Sequence, residues 1–118
     1  MLELELGGKT RTLSFGNYGI KKFEELANID LLNAPDLTGL AELEMTSKLI
    51  YSGLFGYYTA NSKELDFTLE EVIKWCDEVT PADQYKVING FSIACLSHTQ
   101  RMLDMFKALA GESEEKKK

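Results

Sequence analysis

An α+β chain, mainly helical, with an N-terminal β-hairpin ahead of a small bundle of about four helices, is predicted by three observations. Leucine alternates with glutamate over Leu2, Glu3, Leu4, Glu5 and Leu6, the period of a strand buried on one face. Gly7-Gly8 follows, and a second alternating run through Thr10, Thr12 and Ser14 leads to Phe15. From Asn17 onward the apolar residues recur at helical spacing as far as Leu109.

The hairpin, residues 2–15, comes first. Both central positions of a type I′ turn need positive φ, and two glycines supply it. Such a turn sets Leu6 opposite Lys9, Leu4 opposite Arg11 and Leu2 opposite Leu13. One face is then leucine-rich with basic stems lying over it, and the other carries Glu and Thr. An isolated hairpin is barely stable in water, so this one must pack on the rest of the chain or pair with another copy.

The helices span residues 17–110. Asn17 is the expected cap of the first, with Ile20, Phe23, Leu26 and Ala27 on one face. Asp30 to Asp36, containing Pro35, breaks the pattern. A second helix is expected from near Leu37 or Thr38 to about Thr59, with Leu40, Leu43, Ile50, Tyr51, Leu54, Tyr57 and Tyr58 on one side. Thr68-Leu69-Glu70-Glu71 is a capping box that opens the third helix, and Phe67 and Val72 stand at the positions of a hydrophobic staple. Leu69, Val72, Ile73 and Cys76 form its predicted buried stripe. Thr80 caps a fourth helix with Pro81 at its first position. Its stripe runs through Val87, Ile88, Phe91, Ala94, Cys95, His98, Met102, Met105, Phe106 and Leu109, with Gly111 as the expected stop.

A chain of 118 residues, 44% apolar and 27% charged, is expected to form one globular domain over residues 1–110. Residues 111–118 have no apolar anchor and read as a disordered charged tail. The formal charge is −6, and the three Glu and three Lys of the tail cancel, so the body carries the whole imbalance. That sign opposes binding to nucleic acid or an anionic membrane, both of which need Lys and Arg against phosphate. No apolar run is long enough to span a bilayer, and Met1 to Glu5 lacks the features of a signal peptide. The cytoplasm is the expected location.

No catalytic, cofactor-binding or metal-binding residue is assigned. Gly7-Gly8 turns a hairpin, and Gly53 and Gly56 sit within a predicted helix without the Lys-Ser/Thr of a phosphate loop. Cys76, Cys95 and the single His98 are one ligand short of a structural zinc site and read as core residues. Neighbouring carboxylates such as Glu24/Glu25 and Glu70/Glu71 read as solvated helix surface.

Candidate binding residues are the apolar side chains that fall off the main stripes. On the second helix Met45, Leu49, Gly53 and Gly56 lie opposite the principal face, and on the fourth Tyr85, Ile93, Leu96 and Leu103 do the same. Two alternatives stand for each set: burial of a central helix on both sides, or an exposed patch that docks a partner. Phe55 lies at the margin of its helix face and is expected to be accessible. Trp75 projects beside its stripe among Glu70, Glu71, Asp77 and Glu78. It either anchors a partner with a basic, apolar face or caps the edge of the bundle.

The order of these pieces resembles the tail assembly chaperones of long-tailed bacteriophages. The resemblance rests on the hairpin from Leu4 to Gly16, Phe23-Glu24-Glu25-Leu26, Leu49-Ile50-Tyr51-Ser52-Gly53-Leu54, and Phe67 through Asp77, and it covers residues 2–95. It implies a non-enzymatic protein that binds and solubilises the tape-measure protein, helps recruit tail-tube subunits, and departs before the virion is finished. Several copies per client, with weak self-association through the hairpin edge or the second helix, also follow from it. The family is often made in two lengths by ribosomal frameshifting. Lys116-Lys117-Lys118 suits either a slippery message or an ordinary solubilising tail. Two other readings of the residues are a structural component that stays in a particle, and a small acidic regulator that binds a basic partner.

Overall fold

The computed structural model describes residues 2–28 and 43–117, excepting the side chains of Leu43 and of most residues beyond Ser97. Strand β1 (Leu2–Leu6) pairs antiparallel with β2 (Lys9–Leu13) in the predicted register, Leu2 with Leu13, Leu4 with Arg11 and Leu6 with Lys9. Gly7 and Gly8 take φ of +60° and +82°, as the turn requires. Leu4, Leu6 and Leu13 are buried, while Glu3, Glu5 and Thr10 face outward. The leucine face packs on the helices of its own chain.

Helix α1 (Asn17–Ala27) begins one residue earlier than predicted, and Asn17 is not its cap. Gly16, in extended conformation, is the cap, its carbonyl accepts from the N–H of Ile20 at 2.9 Å, and Asn17 is the first helical residue. The helix closes on Asn28, whose left-handed φ of 55° aims its N–H at the Glu24 carbonyl. The predicted break at Asp30–Asp36 and the predicted helix start near Leu37 or Thr38 lie outside the described residues.

Helix α2 (Leu43–Ala60) is the central element, with Leu49, Ile50 and Leu54 fully buried. Helix α3 (Leu69–Trp75) continues as a single 3-10 turn over Cys76–Glu78. The Thr68 hydroxyl oxygen accepts from the Glu71 N–H at 3.2 Å, and the hydroxyl lies 3.3 Å from Glu71 Oε1. The Glu71 carboxylate thus meets the Thr68 side chain rather than its backbone. Phe67 and Val72 are both buried, which seats the staple.

Helix α4 (Pro81–Lys117) opens where predicted, with the Asp83 N–H donating to Thr80 Oγ1 at 3.1 Å. It runs through Gly111 to Lys117, so helical backbone stands where a disordered tail was expected. One glycine costs a helix only about 1 kcal/mol relative to alanine, and Glu and Lys are good helix formers. At 1.5 Å per residue, its 37 residues extend roughly 55 Å, and they set the 62 Å long axis of the molecule. Phe91 ties α4 to the body, meeting Phe23 edge-on at 4.8 Å and Phe15 at 5.4 Å between ring centroids. Gln84 adds a hydrogen bond of 3.0 Å to Thr46 on α2.

Candidate docking surfaces

The far side of α2 is interior. A Cβ placed on Gly53 would stand 2.9 Å from Leu13 and Phe15, and one on Gly56 would strike the Ser14 carbonyl oxygen and stand 2.9 Å from the Gly19 backbone. The glycines let the end of β2 and the start of α1 approach the helix backbone, and the Ser14 N–H donates to the Gly53 carbonyl at 2.9 Å. Leu49 is fully buried on this side and Met45 packs half-buried against the core. Of the two alternatives for this set, burial on both sides holds, because the far face is filled by this chain's own hairpin and the start of α1. Leu49, Gly53 and Gly56 are core positions in consequence.

Phe55 is half-buried. Its ring is stacked beside Tyr51 at 6.4 Å and covered by the Lys22 ammonium 4.4 Å from its centroid. Trp75 is also half-buried, at the junction of hairpin and α3. The Arg11 guanidinium lies 4.5 Å from the centre of its ring, and a Cβ on Gly7 would stand 2.5 Å from its indole. Trp75 therefore seals an edge of the bundle, the second of its two predicted roles.

Arg11 is the residue whose importance the alternation pattern did not show. It sits at a strand position facing the core and is only 4% exposed. Its Nε donates to the Leu6 carbonyl at 3.1 Å. Nη1 donates to Tyr58 at 3.1 Å and to Asp66 Oδ1 at 2.8 Å. Lys9 completes the group from the adjoining turn, 2.6 Å from Asp66 Oδ2. Hydrogen bonds from Arg11 and Lys9 hold the Asp66 carboxyl well below the usual carboxylate range. The signal for this clamp in the sequence is a core-facing arginine that demands an anion, with Asp66 just ahead of the buried Phe67.

Among the described residues, α3 and α4 each leave an apolar surface open. The first is on α3, where Ile73 is 46% exposed, contrary to its place in the predicted stripe. Val72 and Cys76, four residues apart, take the core-facing row of this short helix, and Ile73 is turned about 100° from Val72. Its helical neighbours are half-buried Leu69 and exposed Glu70 and Asp77, with Glu71 and Glu78 exposed nearby. The four predicted carboxylates are thus at the surface, Glu70 and Asp77 beside Ile73 and Glu71 and Glu78 on the side of Trp75.

The second open surface is the outer side of α4. Tyr85, Ile93 and Leu96 are 69%, 56% and 70% exposed. The alternatives left for this helix resolve toward an exposed patch, as far as its side chains are described. Leu103 lies outside the described side chains.

Remaining groups offer little reactivity. Burial raises the pKa of the Cys76 thiol, and burial with the nearby Glu24 charge pushes Cys95 up to about 11. Among the described residues no group of three His, Cys, Asp or Glu side chains is placed to hold a metal ion. No described helix is long and apolar enough to cross a membrane. An open cleft of about 500 Å³ lies between Leu2, Phe15 and the Lys86–Ala94 stretch of α4. Comparison with protein-family models, curated proteins and solved structures returns no match.

Proposed function

We propose that this chain is a tail assembly chaperone of the kind made by long-tailed bacteriophages. In this reading it is not an enzyme. It binds the long, helical tape-measure protein in the bacterial cytoplasm, keeps it soluble while tail-tube subunits gather around it, and leaves before the particle is complete. The acid-rimmed apolar surface of α3 carries the reading. Ile73 and Leu69 offer an apolar strip, Glu70 and Asp77 border it, and Glu71 and Glu78 stand exposed farther round the same segment. A client helix with its apolar stripe flanked by Lys or Arg would find burial along the strip and opposite charge at the rim. The net charge of −6 would keep the covered client soluble.

The test is co-expression with the tape-measure-type reading frame encoded beside this gene, followed by recovery of the soluble client. Client that is soluble and co-purifies only when this chain is present supports the reading. Ile73→Asp should then reduce recovery several-fold without loss of helix content. A client indifferent to this chain overturns it. Binding to a basic protein that disappears with salt and ignores Ile73 would instead mark a small acidic regulator.

A further inference from the structure

We propose that the outer face of α4 from Tyr85 to Leu96, with Ile93 at its flank, docks a second copy of this chain, helix against helix. The proposal stands independently of the client reading, because it concerns a different surface. Three observations carry it.

The first is charge. From Val87 to Gln100 there are fourteen consecutive residues without Asp, Glu, Lys or Arg, in a chain of which 27% is charged. A helix face meant only for water ordinarily carries charged side chains. Here the open side offers Asn89, Ser92, Ser97 and Gln100 between its apolar residues. Two bodies of charge −6 repel one another, and a face without like charges lets two copies meet at contact distance.

The second is exposure. Tyr85, Ile93 and Leu96 are each more than half exposed, the largest such group along any one described element. Tyrosine and leucine are costly to leave bare in a row.

The third is spacing. Tyr85, Asn89, Ser92 and Leu96 follow at intervals of four, three and four residues and so form one row along the open side, along which a second helix can lie. Antiparallel pairing about a two-fold axis places Tyr85 of one copy beside Leu96 of the other and Asn89 across from Ser92. Large then meets large twice, and the small polar residues between them permit hydrogen bonds at the axis. Each body packs on the opposite side of its own α4, through Val87, Phe91, Ala94 and Cys95, and of the seam only Asn89 also borders the cleft beside the hairpin and only Ser92 is half-buried.

Sedimentation velocity and light scattering on the full chain test this across a concentration series. The chain should appear at twice its 13.3 kDa mass at high concentration. Leu96→Glu should weaken association by at least about 30-fold, as loss of a buried apolar anchor does. Ile73→Glu should leave association unchanged. Added salt should strengthen the dimer, because it screens repulsion between the bodies while the seam holds no charges to weaken. Circular dichroism of Leu96→Glu should match wild type, since Leu96 is exposed in the monomer. A chain that stays monomeric at millimolar concentration, or a dimer indifferent to Leu96→Glu, overturns the proposal. So does a monomeric chain whose Leu96→Glu variant loses client, for the face would then belong to the client.

Discussion

Helices α2 and α4 both carry apolar residues outside their main stripes, and the fold treats them in opposite ways. On α2 the second face is sealed by the hairpin and the start of α1. On α4 it is left open with Ile93 and Leu96 bare. The residues interleaved with the apolar ones mark the difference. On α2 they include Gly53 and Gly56, which have no side chain to hold a neighbouring backbone away, and Leu13, Ser14 and Gly19 come into contact there. On α4 they are Asn89, Ser92, Ser97 and Gln100, which keep hydrogen-bonding groups in reach of water or of a partner. Glycine beside an off-stripe leucine accompanies an intrachain contact here, and uncharged polar residues accompany an exposed face.

The most severe way to break this contrast is Leu49→Asp. It buries a carboxylate among Leu, Ile and Phe side chains and should cost upward of about 4 kcal/mol, enough to unfold a domain of this size. Urea denaturation that stays cooperative with less than about 1 kcal/mol lost would return the far side of α2 to the surface. Gly56→Ala comes next. Its added methyl group meets main-chain atoms of Ser14 and Gly19, which cannot swing aside as a side chain can, and about 1–3 kcal/mol should be lost.

Asp66→Asn probes what holds the sealing hairpin down. The buried Arg11 would lose its carboxylate, at about 1.5–3 kcal/mol for a hydrogen-bonded charge. The pH dependence has a definite sign. The folded Asp66 pKa is depressed, so the stabilisation is complete above the unfolded value near ~4 and is lost as pH falls toward the lower folded one. Melting curves of wild type and Asp66→Asn should therefore stay a constant distance apart above about pH 5 and converge below it. A constant gap down to pH ~2 would separate the clamp from Asp66 ionisation. The mildest change is Ile93→Ser, which should move stability by no more than about 0.5 kcal/mol because the side chain is already in water. A larger loss in dilute monomer would place Ile93 within the body after all.

The elements with local chemistry were legible in the sequence. Alternation with Gly7-Gly8 predicts the hairpin's register, and Thr68 and Thr80 predict two helix starts, because strand period, turn and cap are each settled within a few neighbouring residues. What depends on distant segments was not. Periodicity shows that α2 and α4 each have two apolar sides but cannot say which element arrives at the second one. Periodicity places Ile73 in the stripe, whereas Val72 and Cys76 take the buried row of this segment with Trp75 packed against the core beside them. Of the candidate binding residues, the four carboxylates are at the surface because charge is costly to bury. For Leu49, Gly53 and Gly56 the sequence leaves core and docking roles open, because a groove on an isolated helix looks the same whether a partner or the chain's own hairpin fills it.

The contact between Gly7, Arg11 and Trp75 has a spectroscopic consequence. Trp75 is the only tryptophan in the chain, and it touches the hairpin turn on one side while helix makes up most of the body. Its emission therefore reports whether the hairpin is seated, whereas far-ultraviolet ellipticity reports the helices. Emission that shifts red at lower denaturant than the ellipticity falls would reveal a hairpin that lifts off an intact bundle. Coincident curves would make hairpin and helices one cooperative unit.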